Sequence, residues 1–352
     1  MFESMSAAAT SDAVGAPQLS RTRRVFMLGA TGTIGRATVR ALSRRGHQVV
    51  CFVRPRVAGA DAREGVGQLA SLPGVTVREG EIRDATSIAR DGFRGEQFDV
   101  LVSCMASRTG APRDAWAVDH QAHVDVLTAA TAAGVTQVVL LSAICVQKPA
   151  LAFQQAKLAF EKTLMESGVT WSIVRPTAFF KSLSGQVARV QKGKPFLVFG
   201  DGTLTACKPI SDDDLADFLV DCLDDPARHN RVLPIGGPGE AITPRQQGEQ
   251  LFALLGREPR FRHVPVALLD VIVGILAALG RVVPALADKA QLARIGRYYA
   301  TESMLVWDPV AGRYDAGATP STGRDTLAEH YAKLVRGEWI DDRGKHAVFG
   351  VT

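Results

Sequence analysis

The sequence predicts an α/β protein: a doubly wound parallel sheet of the Rossmann type, followed by a smaller, largely helical C-terminal part. Three observations predict it. An apolar strand beginning at Arg24 runs straight into glycines at 29, 32 and 35. Strand-like and helix-like stretches then alternate to about residue 180, which implies parallel strands joined by helical crossovers. The run Val135 to Ser142 is apolar at nearly every position, as a strand covered on both faces must be.

The elements follow in order. After the glycines, an Ala/Val/Leu-periodic helix runs from about Arg36 to Arg45 and stops at Gly46. His47 to Val53 reads as the second strand, Gly74 to Arg78 as the third and Phe98 to Cys104 as the fourth. A helix from Asp119 to Ala133 ends at Gly134 and leads into the fifth strand. A further helix, about Phe153 to Ser167, stops at Gly168 before the strand Val169 to Pro176. Beyond Lys181 the alternation weakens. Helices are expected over Ser211 to Leu223 and, behind the N-cap Thr243, over Pro244 to Leu255. The stretch Val264 to Ala287 is the most hydrophobic, yet Asp270 and Arg281 leave it shorter than the roughly 20 residues of a membrane span. It reads as a buried or interfacial helix. The expected organisation is a disordered tail over 1–20, a dinucleotide domain over 21–180 and a substrate-binding region over 181–352, with a strand near 231–236 placed to return to the sheet.

Composition narrows the function classes. The 352 residues, 46% of them apolar, can bury a large core. The net charge is +5, but the basic residues are scattered, without the dense run or interleaved aromatics of a nucleic-acid groove. Five cysteines lie far apart with no Cys-x-x-Cys pair and no histidine at zinc spacing, so reduced thiols, a cytoplasmic location and no metal are expected. The first 20 residues contain Glu3 and Asp12 and lack both a basic start and an apolar core, unlike a targeting segment.

The glycine run carries the chemistry. Gly29 permits the turn after the strand, Gly32 lets the backbone approach a pyrophosphate, and Gly35 lets the helix pack on the sheet, leaving the anion at the helix N-terminus. Thr31, Thr33 and Ile34 belong to the same cradle. An NAD site places an acid at the end of the second strand; this chain has Arg54 there. With Arg36 and Arg56, it can clamp a 2′-phosphate, which favours NADPH. Asp84 sits where a third-strand loop approaches the adenine, or simply makes a turn.

Ser142 after the fifth strand and Lys157 on the next helix resemble the short-chain dehydrogenases, in the atypical, extended branch. In Phe153-Gln-Gln-Ala-Lys157, however, a phenylalanine stands where that superfamily carries its acid–base tyrosine. The relay for carbonyl reduction is therefore missing. The runs Leu140 to Pro149, Ile173 to Ser182, Gly200 to Gly202 with Cys207 to Ser211, Leu233 to Gly239 and Arg294 to Ala300 are similar to those of the divinyl chlorophyllide a 8-vinyl-reductases, from about Arg23 to Arg336. The resemblance implies NADPH-dependent reduction of the 8-vinyl group of a divinyl chlorophyllide or protochlorophyllide to ethyl. Lys157, Ser142 and Tyr298 are then the catalytic candidates. Cys145, Phe179, Phe180 and Tyr299 are candidates for the pigment wall, and Arg175, Lys181 or Arg297 for its carboxylate. Contact with a photosynthetic membrane follows as an expectation. Two rivals stay open: an NADP-binding redox sensor without catalysis, and an isoflavone-reductase-like enzyme acting on another conjugated alkene.

Overall fold

Strand β1 (Arg24–Leu28) is buried along almost its whole length and has a parallel neighbour on each side, β2 (Gln48–Val53) and β4 (Val100–Ser103). The structure, a computed structural model, describes residues 21–55 and 60–338. The expected tail over 1–20 and Arg56 lie outside the described residues. With β3 (Val75–Glu79), β5 (Gln137–Leu141), β6 (Thr170–Pro176) and a later strand, Arg231–Ile235, the main sheet has seven parallel strands. Its first three strands are laid outward from β1 in one direction and the rest in the other. That reversal opens a crevice beyond the strand ends between β1 and β4, where ligands of such sheets bind.

Period-two alternation divides the core between the faces of the sheet. Val25, Met27, Val49, Cys51, Val100 and Val102 face one side, under helices Thr33–Arg44 and Asp212–Asp221. Phe26, Leu28, Val50, Phe52 and Leu101 face the other, against Val126, Phe160 and Leu164. Both faces are filled, which is why these strands read as continuous apolar runs. The helices Thr33–Arg44 and Asp212–Asp221 are also tied by the ion pairs Arg40–Asp213 at 2.9 Å, Arg44–Asp217 at 3.2 Å and Arg45–Asp221 at 2.7 Å.

Two departures from the sequence reading matter for function. The helix expected from Asp119 begins seven residues earlier: Pro112–Ala115 is α-helical, Trp116–Ala122 a π-helical turn and His123–Ala132 α-helical again. Pro112 at the first helical position starts it. The wide turn hides the helical period, and both Asp119 and His123 are buried. The apolar stretch over 264–287 is not one helix: Val266–Leu279 and Pro284–Thr301 pack together as a hairpin, broken after Gly280, with Pro284 starting the second. None of the 14 residues of Val266–Leu279 is buried, so a core position is ruled out for it.

In the second half, β7 (Phe196–Phe199) pairs parallel with Phe261–Val264, and Val306–Asp308 pairs antiparallel with Arg313–Asp315. Phe180, Val190, Phe196, Phe252 and Tyr331 form a separate core cluster there. Among the described residues no helix is long and apolar enough to cross a membrane.

Candidate active site

The turn after β1 is shaped by contacts only glycine tolerates. Gly29 has φ +73°, and a Cβ there would stand 2.5 Å from the Cys104 backbone on β4's exit. A Cβ on Gly35 would fall 2.0 Å from the Gly29 carbonyl oxygen, so the helix can start this close to the strand only without one. At Gly32 a Cβ would meet nothing nearer than the Gly29 oxygen at 3.4 Å, and its other side is open. Gly32 is the N-cap of helix Thr33–Arg44, which has neither a capping side chain nor an acid in its first turn. Its leading N–H groups and the positive end of its dipole are left for an anion. Ile34 is buried beneath the turn, Thr31, Thr33 and Arg36 are half-buried around it, and Arg54 is exposed just past β2. Asp84 accepts a hydrogen bond from the Thr86 N–H at 2.9 Å and caps its own helix, the turn-forming alternative.

Lys157, on helix Ala152–Met165, reaches the π-helical turn: its Nζ lies 3.1 Å from Oδ1 of fully buried Asp119. That oxygen also accepts the Ser107 N–H, while Oδ2 is buried with no partner among the described residues. One helical turn on, the ring of His123 bonds the Val118 carbonyl through Nδ1 at 2.9 Å and the Ser103 hydroxyl through Nε2 at 2.8 Å. Burial, aided by the Lys157 charge, pushes this imidazole down to about 4, so it is neutral near pH 7. A carbonyl only accepts, so Nδ1 carries the proton and Ser103 donates to Nε2.

Ser142, Lys157, Asp119, His123 and Phe160 line one small cavity. Ser142 is not free, however: its hydroxyl donates to Oε1 of buried Glu161 at 2.5 Å. Arg175 grips the same carboxylate through Nε at 3.2 Å and through Nη2. Arg175, expected to meet a substrate carboxylate, is therefore committed to an internal one, because Glu161 would otherwise be an uncompensated buried charge.

Cys145 and the two tyrosines do come together. The Tyr298 hydroxyl lies 2.9 Å from the Cys145 carbonyl and 3.1 Å from that of Lys148, and burial raises it above the ordinary tyrosine value. Tyr299 places its hydroxyl 3.8 Å from the Cys145 thiol, which burial keeps protonated. Phe153 packs in the same cluster. Phe179 is partly buried against the main sheet, but Phe180 is a core residue, tilted against His330 in the second cluster, and is removed from the pigment wall. Arg297 pairs with Asp270 across the hairpin. The sequence reading missed Asp119, His123 and Glu161; the four-residue spacings Asp119/His123 and Lys157/Glu161 were the available signal.

A doubly wound sheet whose switch point holds a glycine turn and an open helix N-terminus defines a dinucleotide-binding protein. The family model described as NAD(P)H-binding matches residues 29–226. Solved structures share the architecture. An isoflavone reductase has a TM-score of 0.64 at 18% identity over 89% of this chain and all of that one. The Escherichia coli quinone oxidoreductase complexed with NADPH has 0.60 at 19% identity over 88% and 99%. At greater similarity stand the chloroplastic divinyl chlorophyllide a 8-vinyl-reductases of Oryza sativa subsp. indica and Arabidopsis thaliana. The first is 48% identical over 92% of this chain and 82% of that protein, the second 46% over 89% and 76%. The chain belongs to the divinyl chlorophyllide a 8-vinyl-reductase family.

Proposed function

We propose that this protein uses NADPH to reduce the 8-vinyl group of a divinyl chlorophyllide or protochlorophyllide to ethyl. The observation that carries the reading is the pairing of Lys157 with buried Asp119 in a site where Phe153 replaces the phenol needed for carbonyl reduction. Reducing a vinyl group conjugated to a macrocycle creates carbanion character that the ring delocalises, so no oxygen has to be protonated. The nicotinamide, when bound, supplies the hydride for the outer vinyl carbon.

The chain's residues do the rest. Gly29, Thr31, Gly32, Thr33, Ile34 and Gly35 form the pyrophosphate cradle; its open side at Gly32 and its uncapped helix fit that anion. Arg36 and Arg54 hold the 2′-phosphate as bidentate donors. Lys157, fixed by Asp119, orients the nicotinamide ribose and delivers a proton to the inner carbon. Cys145, Phe179 and Tyr299 wall the pigment. Tyr298, bonded to two carbonyls, holds the segment around Cys145 rather than a reacting atom. Ser142, donating to Glu161, keeps the end of β5 in place beside Lys157.

The pigment is apolar, and so is the hairpin surface beside the site. Leu268, Val271, Ile275 and Leu279 are each about half exposed, and Val282 is 83% exposed. Arg262 precedes this helix and Arg281 follows it. The helix rests in the plane of an anionic membrane surface, its cations at the headgroups.

The deciding experiment is anaerobic incubation of the purified protein with divinyl chlorophyllide a and NADPH, followed by chromatography and mass analysis. The expected product is two hydrogens heavier and forms only with NADPH. A folded protein that binds NADPH and leaves the pigment unchanged would move the sensor, or another conjugated alkene, to the front.

A further inference from the structure

Lys181 lies on the short helix Phe180–Leu183 after β6, in the second half of the chain, yet its Nζ donates to the Thr33 hydroxyl at 2.9 Å, a contact spanning 148 residues. Its position is fixed from both sides. The preceding Phe179 forms a parallel bridge with Ile210, and the Phe180 N–H donates to the Ile210 carbonyl at 3.2 Å, so the segment is tied down beyond the ends of the central strands. Thr33 is the first residue of the helix behind the glycine turn, and that helix has no cap and no acid in its first turn. An ammonium group is thus held at the positive end of a helix dipole, where a cation is ordinarily disfavoured. The arrangement is sensible if a doubly charged group belongs between them.

Asp212 is the nearby counter-charge. It starts helix Asp212–Asp221, feels the charges of Lys181, Arg36 and Arg40, and has a buried Oδ1 without a hydrogen-bond partner among the described residues. Its charge steadies the cations around the turn but donates nothing to an anion. The turn itself offers backbone N–H groups, and among the described residues Lys181 brings an ammonium into contact with it.

We propose that Lys181 is a cofactor residue, delivered from the substrate half to close over the dinucleotide pyrophosphate, and not a ligand of the pigment carboxylate. The proposal rests on the NADPH reading above. Lys181 then gives up its bond to Thr33 for the phosphate oxygens, a charge-assisted pair in a partly enclosed site. It also makes cofactor binding and the placement of the segment carrying Phe179 one event.

The test measures binding rather than turnover. NADPH and 2′-AMP, which carries the 2′-phosphate but no pyrophosphate, are titrated by calorimetry into the full-length wild type and into Lys181→Met, Lys181→Arg and Lys181→Ala. Lys181→Met and Lys181→Ala are expected to weaken NADPH by about ten-fold or more, with the loss shrinking at high salt, while 2′-AMP binds as before. Lys181→Arg is expected to recover part of the loss. NADPH affinity unchanged in Lys181→Met overturns the inference alone, as does an equal weakening of both probes, which would mean that Lys181 only shapes the turn. Lys181→Met keeps the aliphatic stem, so it decides the matter if Lys181→Ala does not fold. A wild type that binds 2′-AMP but not NADPH overturns the cofactor reading, and the inference with it.

Discussion

Lys157 and Glu161 stand four residues apart on one helix and meet opposite fates. Lys157 is drawn to a carboxylate on a different helix and lines a cavity, whereas Glu161 is locked between Ser142 and Arg175. The first arrangement holds a partly exposed ammonium against a buried carboxylate. The second spends three polar groups on one another in the protein interior. A positioned general acid contributes about 10²–10⁴-fold, so Lys157→Ala is expected to lose turnover on that scale while still binding NADPH. Asp119→Asn is expected to lose part of it, since the lysine then loses its anchor. Steady-state kcat, with NADPH affinity measured separately, checks both; Lys157→Ala at full kcat would remove the lysine from proton delivery. The tetrapyrrole carboxylate has lost Arg175 as a partner, and no local pattern could have foretold that. Fourteen residues separate Arg175 from Glu161, and their meeting depends on how β6 lies against helix Ala152–Met165.

At the scale of elements, the sequence was most legible where the physics is local. Glycines at 29 and 35 must be glycines because backbone stands where their Cβ atoms would go, and that need leaves its mark in the chain itself. The apolar runs of β1, β2, β4 and β5 reflect burial on both faces, so strand placement needed no tertiary knowledge. The π-helical turn over Trp116–Ala122 shows the limit: it breaks the 3.6-residue period and puts Asp119 and His123 in the site from a stretch that reads as featureless. Phe179 and Phe180 show another, for two adjacent aromatics serve different cores and only the bridge to Ile210 decides which. The helix Val266–Leu279 is apolar by composition and exposed by placement. Exposed apolar residues in one contiguous strip mark an interaction surface. Val271→Asp with Ile275→Asp removes two half-exposed members of it without touching the glycine turn or the Lys157 network. Flotation with anionic phosphatidylglycerol vesicles is expected to carry the wild type and leave the double variant behind, with weaker capture by zwitterionic vesicles. Equal flotation of both proteins would place the membrane contact elsewhere, and a wild type that fails to float but dimerises through this face would replace the bilayer with a second copy.

For the molecule as a whole, buried His123 and partly buried Asp212 set how stability answers to acid. His123 is held near 4 against an ordinary 6.5, mainly by burial. Between those values the unfolded chain binds a proton that the folded one refuses, so stability falls as pH drops through the window. Asp212 is held at about 6 against 3.8, again mainly by burial, with Lys181, Arg36 and Arg40 pulling the other way. Here the folded chain binds the proton and the unfolded one does not, so stability rises as pH drops from 6 toward 4. Each displacement is worth roughly 3 kcal/mol, and over pH 4–6 the two slopes oppose and nearly cancel. Asp212→Asn removes one of them. The variant is expected to be more stable than the wild type near pH 7, where the wild type must bury a charge, and to lose that advantage progressively on acidification because the His123 slope then stands unopposed. Thermal midpoints of both proteins between pH 4 and 7.5 check this, and a constant offset across the range would show that Asp212 does not titrate as its burial requires. The carboxylate that costs stability lies among Lys181, Arg36 and Arg40, so the same residue that weakens the fold at neutral pH helps hold cations around the glycine turn.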